Sequence, residues 1–166
     1  MPRSEEENKL EEMTKRYYEE RFGIPPSEFQ GKRFIRRGNE VWAISWEGVE
    51  IPDWKRIQAL GIRILHIMGH GLKPTSYALQ FFGKAIKRSK AEVSIEELRE
   101  LALGHNLRKD LDCGRGYVAI VHNGDVFGCG FYTGEELRSE IPSARRRELL
   151  EAIRQEKEED GYEGVT

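Results

Sequence analysis

The chain has no apolar run approaching the ~20 residues needed to span a bilayer. Its first ten residues, MPRSEEENKL, lack the apolar core of a signal peptide. A cytoplasmic protein is the expectation. Cysteine is scarce: Cys113 and Cys129 are the only two, too few for a disulfide framework, and they lack the Cys-x-x-Cys pairing of a zinc site. Asn and Gln stand at four each, while charged residues make up 34%. Few thermolabile amides in a highly charged chain fit a thermophilic source. One local absence is more telling. Residues 71–91, GLKPTSYALQFFGKAIKRSKA, contain no Asp or Glu, in a chain with 29 of them. The same stretch carries five cations (Lys73, Lys84, Lys87, Arg88, Lys90) and three aromatics (Tyr77, Phe81, Phe82).

The formal net charge is −2 and the pI near 6.1, which argues against a general nucleic-acid binder and leaves any such role to local charge. That charge is polarised. Residues 31–37 hold four basic residues and no acid, and residues 138–147 hold four Arg against one Glu. Acids gather at the ends, with five Glu in residues 5–12 and six Glu and one Asp in residues 148–163. Basic islands converging on one face would attract phosphate despite the acidic total; the alternative is that each is an ordinary solvated face.

At 166 residues and 38% hydrophobic, the chain is long enough to bury a core. Ser4 and Glu7 form a capping box for a helix to about Glu20, with an apolar stripe of Leu10, Met13, Tyr17 and either Tyr18 or Phe22. Gly23 and Pro25-Pro26 end it. Phe34–Arg36 and Val41–Trp46 flank the turn composition Arg37-Gly38-Asn39 and predict a hairpin, in which Trp42, Ile44 and Trp46 share a face. This helix and hairpin cannot close a core alone and should lean on the segments after residue 50. A helical turn carrying Trp54, Ile57 and Leu60 comes next. A strand over Ile62–Met68 then stops at Gly69-His70-Gly71, and Pro74 stands at N1 of a helix to Phe82. A short strand is expected over Glu92–Ile95, and Ser94 with Glu97 caps a second helix that Gly104 ends. Tyr117–His122 and Val126–Tyr132 read as a hairpin turning at Asn123-Gly124 or Gly124-Asp125. Gly128 and Gly130 in its second strand suggest a bulge, a bend or close backbone approach. A closing helix runs from about Ser143 to Glu158. The mixture predicts an α+β fold, a small and partly closed β-barrel.

Chemical motifs are few. Asp112-Cys113-Gly114-Arg115-Gly116 mimics a methyl-donor loop, but such a loop needs a strand before it and a helix after it, and a polar loop and a strand stand there instead. His66 and His70 have a spacing that suits zinc on a helix, yet His66 falls in a strand and His70 between glycines. Arg145-Arg146-Arg147 open the closing helix, where cations oppose the macrodipole; this hints at an external anion or at acidic neighbours. Phe81 and Phe82 are adjacent on a helix and cannot both face out, so at least one is expected in the core. Tyr77 or Tyr132 could stack on an unpaired base.

Two segments, GIRILHIMGHGLKPTSYALQFFG (61–83) and GRGYVAIVHNGDVFGCGFYTGEELRSEIP (114–142), carry a family likeness. In the first, Gly71-Leu72-Lys73-Pro74-Thr75 opens a helix after a strand. In the second, a glycine-rich strand leads to Gly134, Leu137, Arg138 and Pro142. Over roughly residues 50–145 the chain resembles the PUA-like domain at the C-terminus of Nop/Sun-type rRNA cytosine-5 methyltransferases. It lacks the S-adenosylmethionine motifs and the Pro-Cys and Thr-Cys cysteines of those enzymes. The resemblance implies a PUA-like pseudobarrel at 51–147, with an N-terminal α/β appendage at 1–50 and a C-terminal helix and acidic tail at 148–166. It also implies RNA contact by Lys73, Thr75, Tyr77, Lys84, Lys87 and Arg88, with Tyr132 and Arg138 on the glycine-rich side. Lys87 and Arg88 are included on charge, as are Lys90, Arg145 and Arg146.

The resulting expectation is a non-enzymatic, cofactor-free, metal-free RNA-binding accessory in rRNA or tRNA modification or ribosome biogenesis. Its partners would be structured RNA and a methyltransferase or ribosome-assembly protein. Two alternatives stay open: a protein–protein adaptor in the same pathway, and a small RNA- or nucleotide-acting enzyme on a PUA-like barrel. Within residues 71–91 the weight falls on the lysines and Arg88 after Gly83 rather than on the aromatics.

Overall fold

Ser4 starts the first helix as its sequence demands: the hydroxyl accepts from the Glu7 backbone N–H at 3.1 Å. In the computed structural model, which describes residues 4–45 and 61–163, α1 runs over Glu5–Phe22 and ends at Gly23 with φ 70°. The expected capping box is only half made, because Arg33 takes the Glu7 carboxylate. The two side chains form a bidentate pair, Nε to Oε1 at 2.6 Å and Nη2 to Oε2 at 2.8 Å. The buried stripe is Leu10, Thr14, Tyr18 and Phe22. It is rotated from the expected one, with Thr14 in place of Met13 and its hydroxyl donating to the Leu10 carbonyl at 2.8 Å.

The chain divides into two compact units, Met1–Lys90 and Ala91–Thr166. In the first, β1 (Lys32–Arg37), β2 (Glu40–Ser45), β3 (Gly61–Met68) and β4 (Gly71–Pro74) form an antiparallel sheet in that order. The expected appendage boundary at 50 and the turn with Trp54, Ile57 and Leu60 lie outside the described residues, as does Trp46. On either side of that boundary, β2 and β3 pair directly, so the N-terminal hairpin does lean on a later strand. A bulge between Val41 and Trp42 breaks the simple alternation, and Val41, Ala43 and Ile44 are all buried.

Pro74 closes edge strand β4, where a missing N–H costs no ladder bond; it does not open the next helix. Thr75 is the N-cap, and α2 spans Ser76–Phe81. The core of this unit is aromatic. Phe29, from a 3-10 turn over Pro26–Phe29, lies 4.8 Å from Phe82 and 5.7 Å from Tyr18, centroid to centroid. Tyr18 donates its hydroxyl to the Ile64 carbonyl, which ties α1 to β3.

The second unit has a five-stranded sheet in the order β5-β7-β8-β9-β6. The strands are β5 (Lys90–Glu92), β6 (Leu107–Arg108), β7 (Gly116–His122), β8 (Asp125–Tyr132) and β9 (Glu136–Ser139). The β7–β8 hairpin turns at Asn123-Gly124, with φ of 49° and 81°, the paired left-handed residues that match strand twist. Its bulge falls between Ile120 and Val121, opposite Gly128. At Gly130 an added Cβ would meet the Arg138 carbonyl and Leu137 at 3.0 Å, so the close approach read from the sequence is present. Strands β6 and β9 fall where irregular loops were expected; two to four residues leave no periodicity to read. Helix α3 (Ile95–Ala102) starts with the complete Ser94/Glu97 capping box, and α4 covers Ser143–Glu163. Leu98, Leu101, Val118, Ile120, Leu137 and Ile153 form the heart of this unit's core. The fold class is mixed α+β, with four α-helices among the described residues.

Candidate nucleic-acid interface

The acid-free stretch does not behave as one surface. In α2, Ser76, Ala78 and Leu79 are buried, and Phe82 just beyond it joins the aromatic core. That orientation turns positions 77 and 81, one helical turn apart, outward. Tyr77 is 57% and Phe81 60% exposed. One of the Phe pair is therefore core and the other surface, but the aromatics as a group are not mostly core. Lys32 on β1 sets its ammonium over the Phe81 ring, 5.4 Å from the centroid, a cation–π distance. Neither Phe81 nor Lys32 stood among the candidate RNA-binding residues. The signal that could have found them was the i, i+4 spacing of Tyr77 and Phe81 against an Ala78/Leu79/Phe82 core face. Lys32 reaches them only through sheet topology, which the local sequence does not contain.

Thr75 and Lys73 frame the helix start. The Thr75 hydroxyl donates to the Arg63 carbonyl at 2.6 Å and accepts from the Ala78 N–H at 3.1 Å, so it holds the cap. Lys73, half-buried on β4, pairs in register with His66. After Gly83 the chain makes a 3-10 turn to Ala85 and runs to β5 with Lys84, Lys87, Arg88 and Lys90 all exposed.

Lys87 and Arg88 then part company. Both backbone N–H groups donate to the Phe22 carbonyl, at 2.8 and 3.3 Å. The Arg88 guanidinium turns back on α1, donating from Nε to the Glu20 carbonyl at 3.0 Å and from Nη2 to the Glu19 carbonyl. Cations favour a helix C-terminus, and both carbonyls lie in the last turn of α1, where that of Glu19 also accepts from the Gly23 N–H at 2.9 Å. Gly23 makes the approach possible, since a Cβ there would lie 3.0 Å from the Lys87 Cβ and 3.3 Å from the Arg88 guanidinium. Arg88 also borders an open groove in which Lys15 and Arg16 pair with Glu11 and Glu12 and the carboxylates of Glu19 and Glu20 add to the acid side, an unfavourable setting for phosphate. The side chains of Lys84, Lys87 and Lys90 make no ion pair or hydrogen bond among the described residues.

The basic island at 31–37 is similarly divided. Arg33 and Glu7 are only 7% and 11% exposed in their side chains. The hydrogen bond from Glu7 leads in raising the Arg33 pKa above its ordinary value, against the opposing effect of burial. Its charge is neutralised inside the fold.

In the second unit, Arg138 is exposed on β9 and pairs in register with Phe131. Arg145 and Arg146 lie half-buried in the first turn of α4. The Arg146 guanidinium occupies the space over Gly104, where an added Cβ would come within 2.6 Å of it. Tyr132 corrects a candidate. It is 3% exposed, accepts from the Leu111 N–H at 3.2 Å and donates to the Gly134 carbonyl at 2.9 Å. Its ring is core and has no face for a base. Among the described residues no three His, Cys, Asp or Glu gather in a metal-binding group, and Cys113 and Cys129 are free thiols.

No family model matches the chain. Distant homology does. The chain is 27% identical over 114 residues to the ribosomal RNA small subunit methyltransferase F of Aliivibrio salmonicida, covering 69% of this chain and 23% of that protein. The Aeromonas hydrophila protein of the same name is 24% identical over 150 residues, covering 90% of this chain and 29% of that one. The one from Aliivibrio fischeri is 25% identical over 121 residues, covering 73% and 24%. The chain thus spans about a quarter of the length of these relatives. The chain shows weak homology to rRNA methyltransferases over part of their length. The expectation of a non-enzyme is corrected, because the homologues are named as methyltransferases. That expectation leaned on motifs missing from residues that correspond to only part of such an enzyme.

Proposed function

We propose that this chain is the rRNA-engaging portion of a methyltransferase of the ribosomal small subunit type, and that Lys84, Lys87 and Lys90 form the centre of its phosphate-binding edge. The observation that carries the reading is the behaviour of those three side chains. They are exposed, lie in a segment without acids and are spent on no ion pair among the described residues, in a chain related to rRNA methyltransferases. Lys73 and Tyr77 are further contacts in this reading, at the end of β4 and the start of α2, and Thr75 contributes by fixing the helix start. Arg88 supports the edge by anchoring its backbone to α1. Arg138, Arg145 and Arg146 are candidates for a contact made by the second unit. A PUA-like pseudobarrel is the fold this reading favours, on the order of its elements and the Gly71–Thr75 and Gly134–Pro142 signatures. The role would be to hold rRNA in position for methyl transfer.

The test is filter binding of the chain to small-subunit rRNA fragments, with tRNA as comparison. Saturable rRNA binding that the triple change Lys84→Ala, Lys87→Ala, Lys90→Ala weakens strongly supports the reading. Binding unaffected by the triple change, or none to any RNA, overturns it. Loss of a protein partner with RNA affinity intact, after truncation of residues 148–166, would favour an adaptor instead.

A further inference from the structure

The outward face of α2 has a chemistry that lysines alone do not explain. Tyr77 and Phe81 share that face one turn apart, and with Leu103 they are the exposed large hydrophobic side chains among the described residues. Ala78, Leu79 and Phe82 supply contacts of this segment with the core, and the two rings stand largely exposed beside them. Phe81 meets that core in an edge contact with Phe82, centroids 5.0 Å apart at 85°. The Lys32 ammonium stands over its ring at 5.4 Å, and Lys84 comes three residues later in the chain. The surrounding stretch, 71–91, has no carboxylate of its own.

A ligand suited to this face offers a flat π surface beside a negative charge. A nucleotide has both: its base stacks on an aromatic ring and its phosphate meets an ammonium. The charge favours a polyanion over an acid-neutral apolar peptide. In a duplex the base faces are hidden by their neighbours, so only an unpaired or extruded base can use the rings. We propose that Tyr77 and Phe81, with Lys32 at their border, are a stacking platform for an unpaired nucleobase, by which this chain distinguishes single-stranded or bulged RNA from continuous duplex. The proposal rests on the RNA reading above and adds the substrate class.

The experiment compares binding of the full chain to a hairpin RNA with one bulged nucleotide and to the same hairpin fully paired. A 2-aminopurine at the bulge reports stacking by its fluorescence. Wild type is expected to prefer the bulged RNA by about 5-fold to about 150-fold, the range of one stacked base, and to quench the probe. Phe81→Leu and Tyr77→Leu keep apolar bulk but lose the π face. Each should remove most of the preference and the quenching, Phe81→Leu while leaving affinity for the paired hairpin unchanged; Tyr77→Phe should retain the preference and the quenching. A preference or quenching that survives Phe81→Leu and Tyr77→Leu overturns the platform. If paired-hairpin binding still depends on Lys84, Lys87 and Lys90, only the platform fails; if no RNA binds, both readings fail. Sedimentation of the same variants covers the other occupant. A Phe81→Leu change in oligomeric state with RNA selectivity untouched identifies a protein interface and overturns the platform.

Discussion

Lys87 and Arg88 are adjacent, carry the same charge and hang from the same carbonyl of Phe22, yet the fold uses one and not the other. Arg88 donates to two carbonyls in the last turn of α1, whereas the Lys87 side chain is exposed. The same contrast runs through the chain. Arg33 is locked to Glu7 and Lys109 to Glu97, while Lys84, Lys90 and Arg138 stand in solvent. Positive charge in a sequence is thus of two kinds, that which holds the structure together and that which is left over for a ligand. Only geometry separates them.

The largest effect should come from the buried pair. Glu7→Ala leaves Arg33 charged and shielded from water without its partner, a loss of about 3–5 kcal/mol in unfolding free energy, read by urea denaturation. RNA affinity of the folded fraction should not change. Arg88→Ala comes next. It removes two charge-assisted bonds to helix-end carbonyls and should lower stability by about 1–2 kcal/mol, with RNA affinity within about 2-fold of wild type. An RNA effect at Arg88 larger than that at Lys87 would break the comparison.

The Glu97–Lys109 pair is smaller and carries a pH signature. Burial pushes the Glu97 carboxyl up, but the Ser94 N–H and the Lys109 ammonium outweigh it and hold the group below its usual range. A carboxyl depressed in the folded state stabilises above its unfolded value, and that contribution is lost as pH falls through the folded value. Stability should therefore decline by about 0.5–1 kcal/mol on acidification through the carboxylate range, and Glu97→Gln should flatten this part of the profile of melting temperature against pH. Lys87→Ala is the smallest perturbation of the fold, within about 0.5 kcal/mol. It should nevertheless make the salt dependence of RNA binding shallower by about 0.7–0.9 in the log–log slope, one phosphate contact.

How much of the fold was legible in the sequence depends on how local each signal is. The caps at Ser4 and Ser94, the stop at Gly23 and the Asn123-Gly124 hairpin turn each depend on a few adjacent residues, and all appear where expected. The α1 stripe was displaced because a threonine can bury its hydroxyl on its own helix, which composition does not reveal. Strands β4 and β9 pair with the strands just before them and β6 with a distant one, but at two to four residues none has a local period of its own. The candidate site divided in the same way. Exposure of the lysines after Gly83 followed from their charge. Burial of Tyr132, capping by Arg88 and the meeting of Lys32 with Phe81 needed the assembled sheets.

The salt dependence of binding to a small-subunit rRNA fragment tests the central claim most directly, measured for the wild-type chain and for the Lys84→Ala, Lys87→Ala, Lys90→Ala variant. If these cations are the ones left for phosphate, the variant's log–log slope is shallower by about 2–3 and its affinity falls with it, while its melting temperature stays within a few degrees of wild type. An unchanged slope in a folded variant would contradict the account.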